Sequence, residues 1–381
     1  MTEKLYENNS HIKDFCATVT HCTEVNGVYH IILNKTAFCP EGGGQASDRG
    51  TVGEANITDV QEIDGQIIHF SDKPLDIGAE YEGHIDWKRR FRHMQNHSGE
   101  HIFCGLIDKH FGFDNVGFHL GEDEVTMDIN GILTREQLMM IEALANEAVY
   151  KNAKFSCLYP KADELSNIEY RSKLDITEGV RIVTVEGYDA CACCAPHVAS
   201  AGEIGIIKIL DFFRMREGIR IYIKCGFDAV SDYEDRYQST KLIADLLSAK
   251  QYEVSDAVEK LIGSIAEQKH INSELKKRLI EAKISVFGTK EEKTAVFEEG
   301  LDVKELQLYA DGLYKLCGGI RGVFSKMADT NYNFAICGDA TQLDKFFAEF
   351  KTKLNVRGGG RNGMVQGSVQ NKREEISGVF L

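Results

Sequence analysis

Residues 87–101 read Trp87-Lys-Arg-Arg-Phe-Arg-His-Met-Gln-Asn-His-Ser-Gly-Glu-His101, and the apolar pattern across 91–110 predicts a helix. On a helix, a step of four residues puts His97 and His101 one turn apart on a common face. Neutral imidazole is a good zinc donor and zinc takes about four tetrahedral ligands, so a metal reading of this pair demands further donors elsewhere. Cys193-Cys-Ala-Pro-His197 offers a thiolate and a third imidazole at the same spacing. The expected Zn2+ ligands are therefore His97, His101, Cys193 and His197. Cys191 and Cys194 are rival thiolates, and a purely structural zinc on Cys191, Cys193, Cys194 and His197 is a competing set. The helix also spells His97-x-x-Glu100-His101, the inverted zinc-peptidase pattern in which the glutamate is the base. That chemistry wants a downstream carboxylate ligand, whereas the conspicuous downstream donors are Cys193 and His197.

Outward from this helix the texture changes in both directions. Residues 15–85 alternate short β-branched runs, 28–33, 57–63 and 66–70, with glycine and Asp-Gly turns, which predicts a small β-barrel-like unit. Downstream, a second helix over 134–153 opens with the capping box Thr134-Arg-Glu-Gln137. Strands are expected at 182–185, 204–210 and 219–225. Residues 232–283 contain no proline and one glycine, with Leu247, Val254, Val258, Leu261, Ile265, Leu275 and Leu279 on steps of three and four. They predict a long helix or helical hairpin, a possible homodimer contact. Gln268 and Asn272 interrupt the stripe and leave a plain amphipathic helix as an alternative. The tail alternates short strands and helices. The expected class is α+β, multidomain: 1–85 a small β-barrel with a glycine-rich loop, 86–228 an α/β zinc-binding domain, 229–285 the helical hairpin and 286–381 a small α/β domain.

The chain has 381 residues, 43% hydrophobic and 27% charged, a globular mixture that excludes wholesale disorder. Its net charge of -15 opposes indiscriminate coating of nucleic acid, so any RNA contact must come from local patches. Two such patches stand out: Lys88, Arg89, Arg90 and Arg92 just before His97, and Lys351, Lys353, Arg357, Arg361, Lys372 and Arg373 in the tail. No apolar run suggests a membrane span or secretory signal, and 11 cysteines crowded around 191–194 suggest reduced thiols, so a cytoplasmic protein is expected.

A third element is the loop Thr36-Ala-Phe-Cys-Pro-Glu-Gly-Gly-Gly-Gln-Ala-Ser-Asp-Arg-Gly50. Three successive glycines allow positive φ and bare amides that grip an oxygen ligand, with Gln45 adding a side-chain amide, although a tight turn without a ligand is the plainer reading. This loop, the two metal pairs in order, and the tail motif Gly358-Gly-Gly-Arg-Asn-Gly-Met-Val-Gln-Gly367 together resemble the alanyl-tRNA editing proteins in their long form, freestanding relatives of the alanyl-tRNA synthetase editing and C-terminal domains. Two departures exist. Cys39 stands where that family usually shows an aromatic residue, and its Cys-Gly-Gly-Thr-His is here Cys193-Cys-Ala-Pro-His197.

The resemblance implies that 86–228 is a zinc-dependent editing domain and 286–381 a synthetase-like C-terminal domain. It implies hydrolysis of the ester that joins serine above all, and glycine as a second substrate, to alanine-specific tRNA. Such a second site is the general remedy when a synthetase pocket cannot exclude a near-isosteric amino acid. Thr36, Gly43, Gly44 and Gln45 are then the candidate substrate-binding residues, Thr36 and Gln45 meeting a serine hydroxyl. Arg89, Arg90, Arg92, Arg357 and Arg361 are candidate tRNA contacts. No catalytic group stands out: Glu100 is the nearest carboxylate but points about 100° around the helix from His101. The remaining alternatives are a zinc peptidase and a non-catalytic tRNA-binding protein with structural zinc.

Overall fold

A computed structural model describes residues 2–122, 124–165, 167–172, 179–288, 291–328 and 330–381. The fold is mixed α+β and divides into two compact units, Met1–Thr240 and Lys241–Leu381. In the first unit, six antiparallel strands close into a ring in the order Asp14–Val25, Val28–Leu33, Gln66–Ser71, Ala55–Ile63, Gly50–Val52, Glu80–Ile85 and back to the first. Two hairpins turn on Asn26-Gly27 and Asp64-Gly65, both residues of each pair at positive φ, as a two-residue turn that follows strand twist requires. Alternate residues such as Ala17, Val19, Ile31, Leu33, Ile57 and Ile67 fill the ring.

The histidine helix runs Trp87–Phe111, four residues earlier than the apolar pattern suggested, because Asp86 caps it by accepting from the Arg89 amide. Gly112 ends it in the left-handed conformation. It is buried along most of its length, against the helix Arg135–Tyr150 and an antiparallel sheet ordered Ile207–Met215, Gly218–Cys225, Val125–Ile129, Asn115–Leu120. The second helix has the expected capping box on Thr134 and Gln137 but stops at Tyr150, where Asn152 takes positive φ. The strand expected at 204–210 begins later, at Ile207, because Ala201–Glu203 is a short 3-10 turn and Gly205 has positive φ. A separate three-stranded sheet, Phe155–Leu158, Ile182–Val185 and Asp189–Ala192, lies over the histidine helix. Gly105 permits that approach: a Cβ there would stand 2.5 Å from the Tyr188 carbonyl oxygen and 2.7 Å from Asp189 Cβ.

The ring and the α/β portion belong to one compact unit. Buried polar contacts join them. Leu120 N–H donates to the Gly44 carbonyl at 2.7 Å, and the fully buried Arg90 pairs with Asp48. The expected helical stretch is two helices, Phe227–Leu247 and Val254–Val286, interrupted where Ser248 adopts positive φ. In the second unit a five-stranded sheet runs Lys293–Glu299, Ile320–Ala328, Asn331–Cys337, Met364–Gln370, Val356–Arg361, its first pair parallel. A phenylalanine cluster including Phe324, Phe334, Phe346, Phe350 and Phe380 cores it.

Candidate metal centre

His97, His101, Cys193 and His197 converge, each offering one ligand atom and all four atoms lying within 4.8 Å of one another. Cys193 Sγ is 3.5 Å from His97 Nε2 and 3.4 Å from His197 Nε2. A tetrahedral zinc with one thiolate and three imidazoles separates neighbouring donors by about 3.5 Å, given bonds of about 2.3 and 2.0–2.1 Å. The donor set therefore fits a zinc ion. Every imidazole is oriented from behind. His97 Nδ1 donates to Gln45 Oε1 at 2.8 Å, His101 Nδ1 to Asp189 Oδ2 at 2.9 Å, and His197 Nδ1 lies 3.2 Å from Ser98 Oγ. The bonds to Gln45 and Asp189, whose oxygens only accept, place the proton on Nδ1 of His97 and His101 and leave Nε2 as the donor, the arrangement that metal-binding histidines use.

Burial alone would push the Cys193 thiol up, but His97 and His197 overrule it and hold it well below its usual range, as a thiolate. Burial pushes His197 down to about 3, which keeps that imidazole neutral and able to ligate. Burial also disfavours charge on His101, yet the bonds to Asp189 and Cys193 raise it above the ordinary histidine value. Cys191 groups instead with His101 and Asp189, and Cys194 is exposed. Among the described residues the alternative set of three cysteines and one histidine does not group.

The centre opens into a cavity of about 820 Å³. Gly43 and Gln45 line it and so does Glu100, which accepts from Asn115 Nδ2. With Cys193 and His197 completing the donor set, the carboxylate ligand that a peptidase of the inverted pattern wants is not among the four grouped donors. Gly44 is required where it stands: its φ is +84° and a Cβ would meet the Phe118 carbonyl oxygen at 2.1 Å. Gln45 is 2% exposed and spends its Oε1 on His97, a role the spacing did not reveal. Cys39 lines the cavity, and its amide donates to Asp48 Oδ2 at 2.6 Å.

Thr36 is corrected. It is 0% exposed and outside the cavity wall. His69 Nδ1 donates to the Ile31 carbonyl at 3.1 Å, so its Nε2 accepts the Thr36 hydroxyl proton at 2.8 Å, while Thr36 Oγ1 accepts from the Phe38 amide. That hydroxyl is used up inside the ring. Burial lowers His69 to about 4, despite an opposing bond to Ile31, and burial with neighbouring arginines lowers His93 to about 3. Unfolded histidine takes its proton near 6.5, so acidification from there towards 4 favours the unfolded chain by about 1.4 kcal/mol per pH unit for each such group. Urea unfolding of the wild type and His69→Gln at pH 6.5 and 4.5 should show a smaller acid loss in the variant. Equal losses would remove His69 from the account.

Arg90, a candidate tRNA contact, is buried. It is 0% exposed, pairs with Asp48, and donates to the carbonyls of Ala37 and Ser10, so it has no face for RNA. Arg89 and Arg92 are turned inward too: Arg89 holds the Ser47 carbonyl and Glu122, and Arg92 holds Asp228 and the Gly121 carbonyl. Lys88 is exposed, as are Arg357 and Arg361 on the glycine-rich hairpin of the second unit. Sequence reasoning did not single out Asp189, Ser98, Arg171 or Arg181. Arg181 is 3% exposed and clamps the ligand loop through the carbonyls of Cys193 and Ala195, each at 2.9 Å. The one local signal was position, since Ser98 and Asp189 sit within or just before the two donor pairs.

The family model described as "Threonyl and Alanyl tRNA synthetase second additional domain" matches residues 180–222, the span holding Arg181, Cys193 and His197. The alanyl-tRNA editing protein Aarsd1 of Mus musculus is 30% identical over 275 residues, covering 68% of this chain and 67% of that one. The chain belongs to the alanyl-tRNA editing protein family. A second member, alanyl-tRNA editing protein AlaX-L of Pyrococcus horikoshii, is 25% identical over 398 residues and aligns with 100% of this chain and 98% of its own. The crystal structure of the C-Ala domain from Aquifex aeolicus alanyl-tRNA synthetase matches 24% of this chain at 20% identity and a TM-score of 0.20, too low to argue a shared fold. Within the editing-protein family, then, this member brings together four side chains that could hold a metal ion, two from the histidine helix and two from the segment 193–197.

Proposed function

We propose that this chain hydrolyses the ester joining serine, and glycine as a smaller intruder, to the 3′ end of alanine-specific tRNA, in the cytoplasm and with zinc held by His97, His101, Cys193 and His197. The observation that carries the reading is the preformed donor set opening onto a cavity beside the triple-glycine turn, in a chain whose relatives are named for alanyl-tRNA editing. When bound, zinc supplies a Lewis acid that polarises or orients the aminoacyl ester. The chain's own residues do the rest. Gln45, Asp189 and Ser98 hold the three imidazoles, the turn at 42–45 shapes the wall that meets the amino acid, and Arg181 fixes the loop carrying Cys193. Four protein ligands favour an orienting ion over one that carries its own hydroxide.

The test is a deacylation assay on one alanine-specific tRNA charged with serine, glycine or alanine, with and without a chelator. Release of serine well above alanine, lost on chelation and restored by zinc, is expected. Equal release of all three, or casein cleavage instead, would count against the reading. The exposed Arg357 and Arg361 are the proposed tail contacts to tRNA, and replacing both with alanine should flatten the salt dependence of tRNA binding. The helix Val254–Val286 carries exposed Val258, Leu261, Ile265, Leu275 and Leu279, which support a homodimer through this region; a monomer in sedimentation equilibrium would dismiss it.

A further inference from the structure

Among the described residues, three lysine or arginine side chains line the cavity: Lys4, Arg171 and Arg181. Two are committed within the protein. Lys4 Nζ stands 3.0 and 2.9 Å from the two Glu62 carboxylate oxygens, and Arg181 is buried while holding the Cys193 and Ala195 carbonyls. Arg171 differs. Its Nε and Nη2 donate to Asp189 at 2.8 and 2.9 Å, and its Nη1 makes no hydrogen bond to any described residue. Its side chain is 15% exposed. A two-point carboxylate bond fixes the plane of a guanidinium, so the remaining donors are preset for an oxyanion.

The same Asp189 accepts from His101. Arg171 is thus tied, through one carboxylate, to a metal donor, which sets a fixed offset between the metal centre and a guanidinium with donors to spare. A ligand that satisfies both points carries a group for the metal centre and, a short way off, an anion. On the reading that the substrate is an aminoacyl-tRNA 3′ end, the aminoacyl ester takes the first point. Its α-amino group is cationic, so the nearest anion is the phosphate of the terminal nucleotide. We propose that Arg171 binds the 5′-phosphate of that terminal adenosine. Arg171 is then a substrate-binding residue, and Asp189 positions both it and His101.

The test uses the zinc-loaded full chain and calorimetric titration with adenosine 5′-monophosphate, adenosine and inorganic phosphate. The monophosphate is expected to bind at least about 10-fold more tightly than adenosine, the effect of one charge-assisted anchor. Arg171→Gln should bring the two within about two-fold. Equal binding of monophosphate and adenosine by the wild type overturns the proposal, as does an unchanged preference in the variant. Inorganic phosphate binding as tightly as the monophosphate would overturn the nucleotide assignment in favour of a general anion site. Should the variant lose zinc through Asp189, the wild-type comparison decides alone. Failure of the deacylase reading is seen separately, as intact seryl-tRNA with the wild-type enzyme, and leaves these titrations readable.

Discussion

Cys193→Ala should strip the protein of zinc and lower deacylation of seryl-tRNA by roughly 1,000-fold, about 4 kcal/mol of barrier. Cys193 is the one thiolate of the donor set, and its sulfur lies 3.5 and 3.4 Å from two of the three imidazoles. Removing it leaves three neutral nitrogens around an open position, with no second cysteine in the group. Cys191→Ala is the control: Cys191 groups with His101 and Asp189 rather than with His97 and His197, so its removal should spare most of the zinc and the activity. Metal content is read by inductively coupled plasma spectrometry beside the rate. A zinc-free Cys193→Ala protein that still deacylates at the wild-type rate sinks the metal assignment, and loss of zinc from Cys191→Ala alone would move the site.

Arg90→Met is the second large effect, and it concerns stability rather than chemistry. Arg90 and Asp48 are each 0% exposed in their side chains, and both carry further bonds: Arg90 to two carbonyls, Asp48 to the Cys39 amide. Asp48 overrides the burial that would otherwise discharge a guanidinium and keeps Arg90 in its cationic form. Taking one partner away strands the other as a buried, unpaired charge, at a cost of about 3–5 kcal/mol. The double variant Arg90→Met/Asp48→Asn removes both charges and should recover a large part of that loss. Chemical denaturation of the two single variants and the double tests it. Strict additivity of the two losses would show that the ions do not depend on each other. Because the pair ties the glycine-rich loop to the histidine helix, the single variants should also lose activity through loosening of Gln45 and His97.

The contrast between Arg90 and Arg357 shows where sequence reading stopped. Both were marked by a cluster of basic residues, and the pattern could not say that one guanidinium turns into the protein while the other stays outside. The histidine helix repeats the point. Its buried face includes His93, Gln95, Asn96, Ser98 and Glu100, polar residues that ordinarily read as a solvated side but here are buried. Thr36 makes the same point, since a hydroxyl beside a glycine-rich turn reads as a ligand contact and here meets a buried imidazole.

What the sequence determined by itself was local. The four donors stood out as two pairs at a spacing of four, and the glycine and Asp-Gly turns and the Thr134 capping box were legible, because each depends on backbone sterics and hydrogen bonds spanning a few residues. Folding decided which distant groups became partners: Asp189 with both His101 and Arg171, Gln45 with His97, Arg90 with Asp48. Those pairings follow from how the ring, the helix and the sheets close on one another, and no short window of residues holds that information.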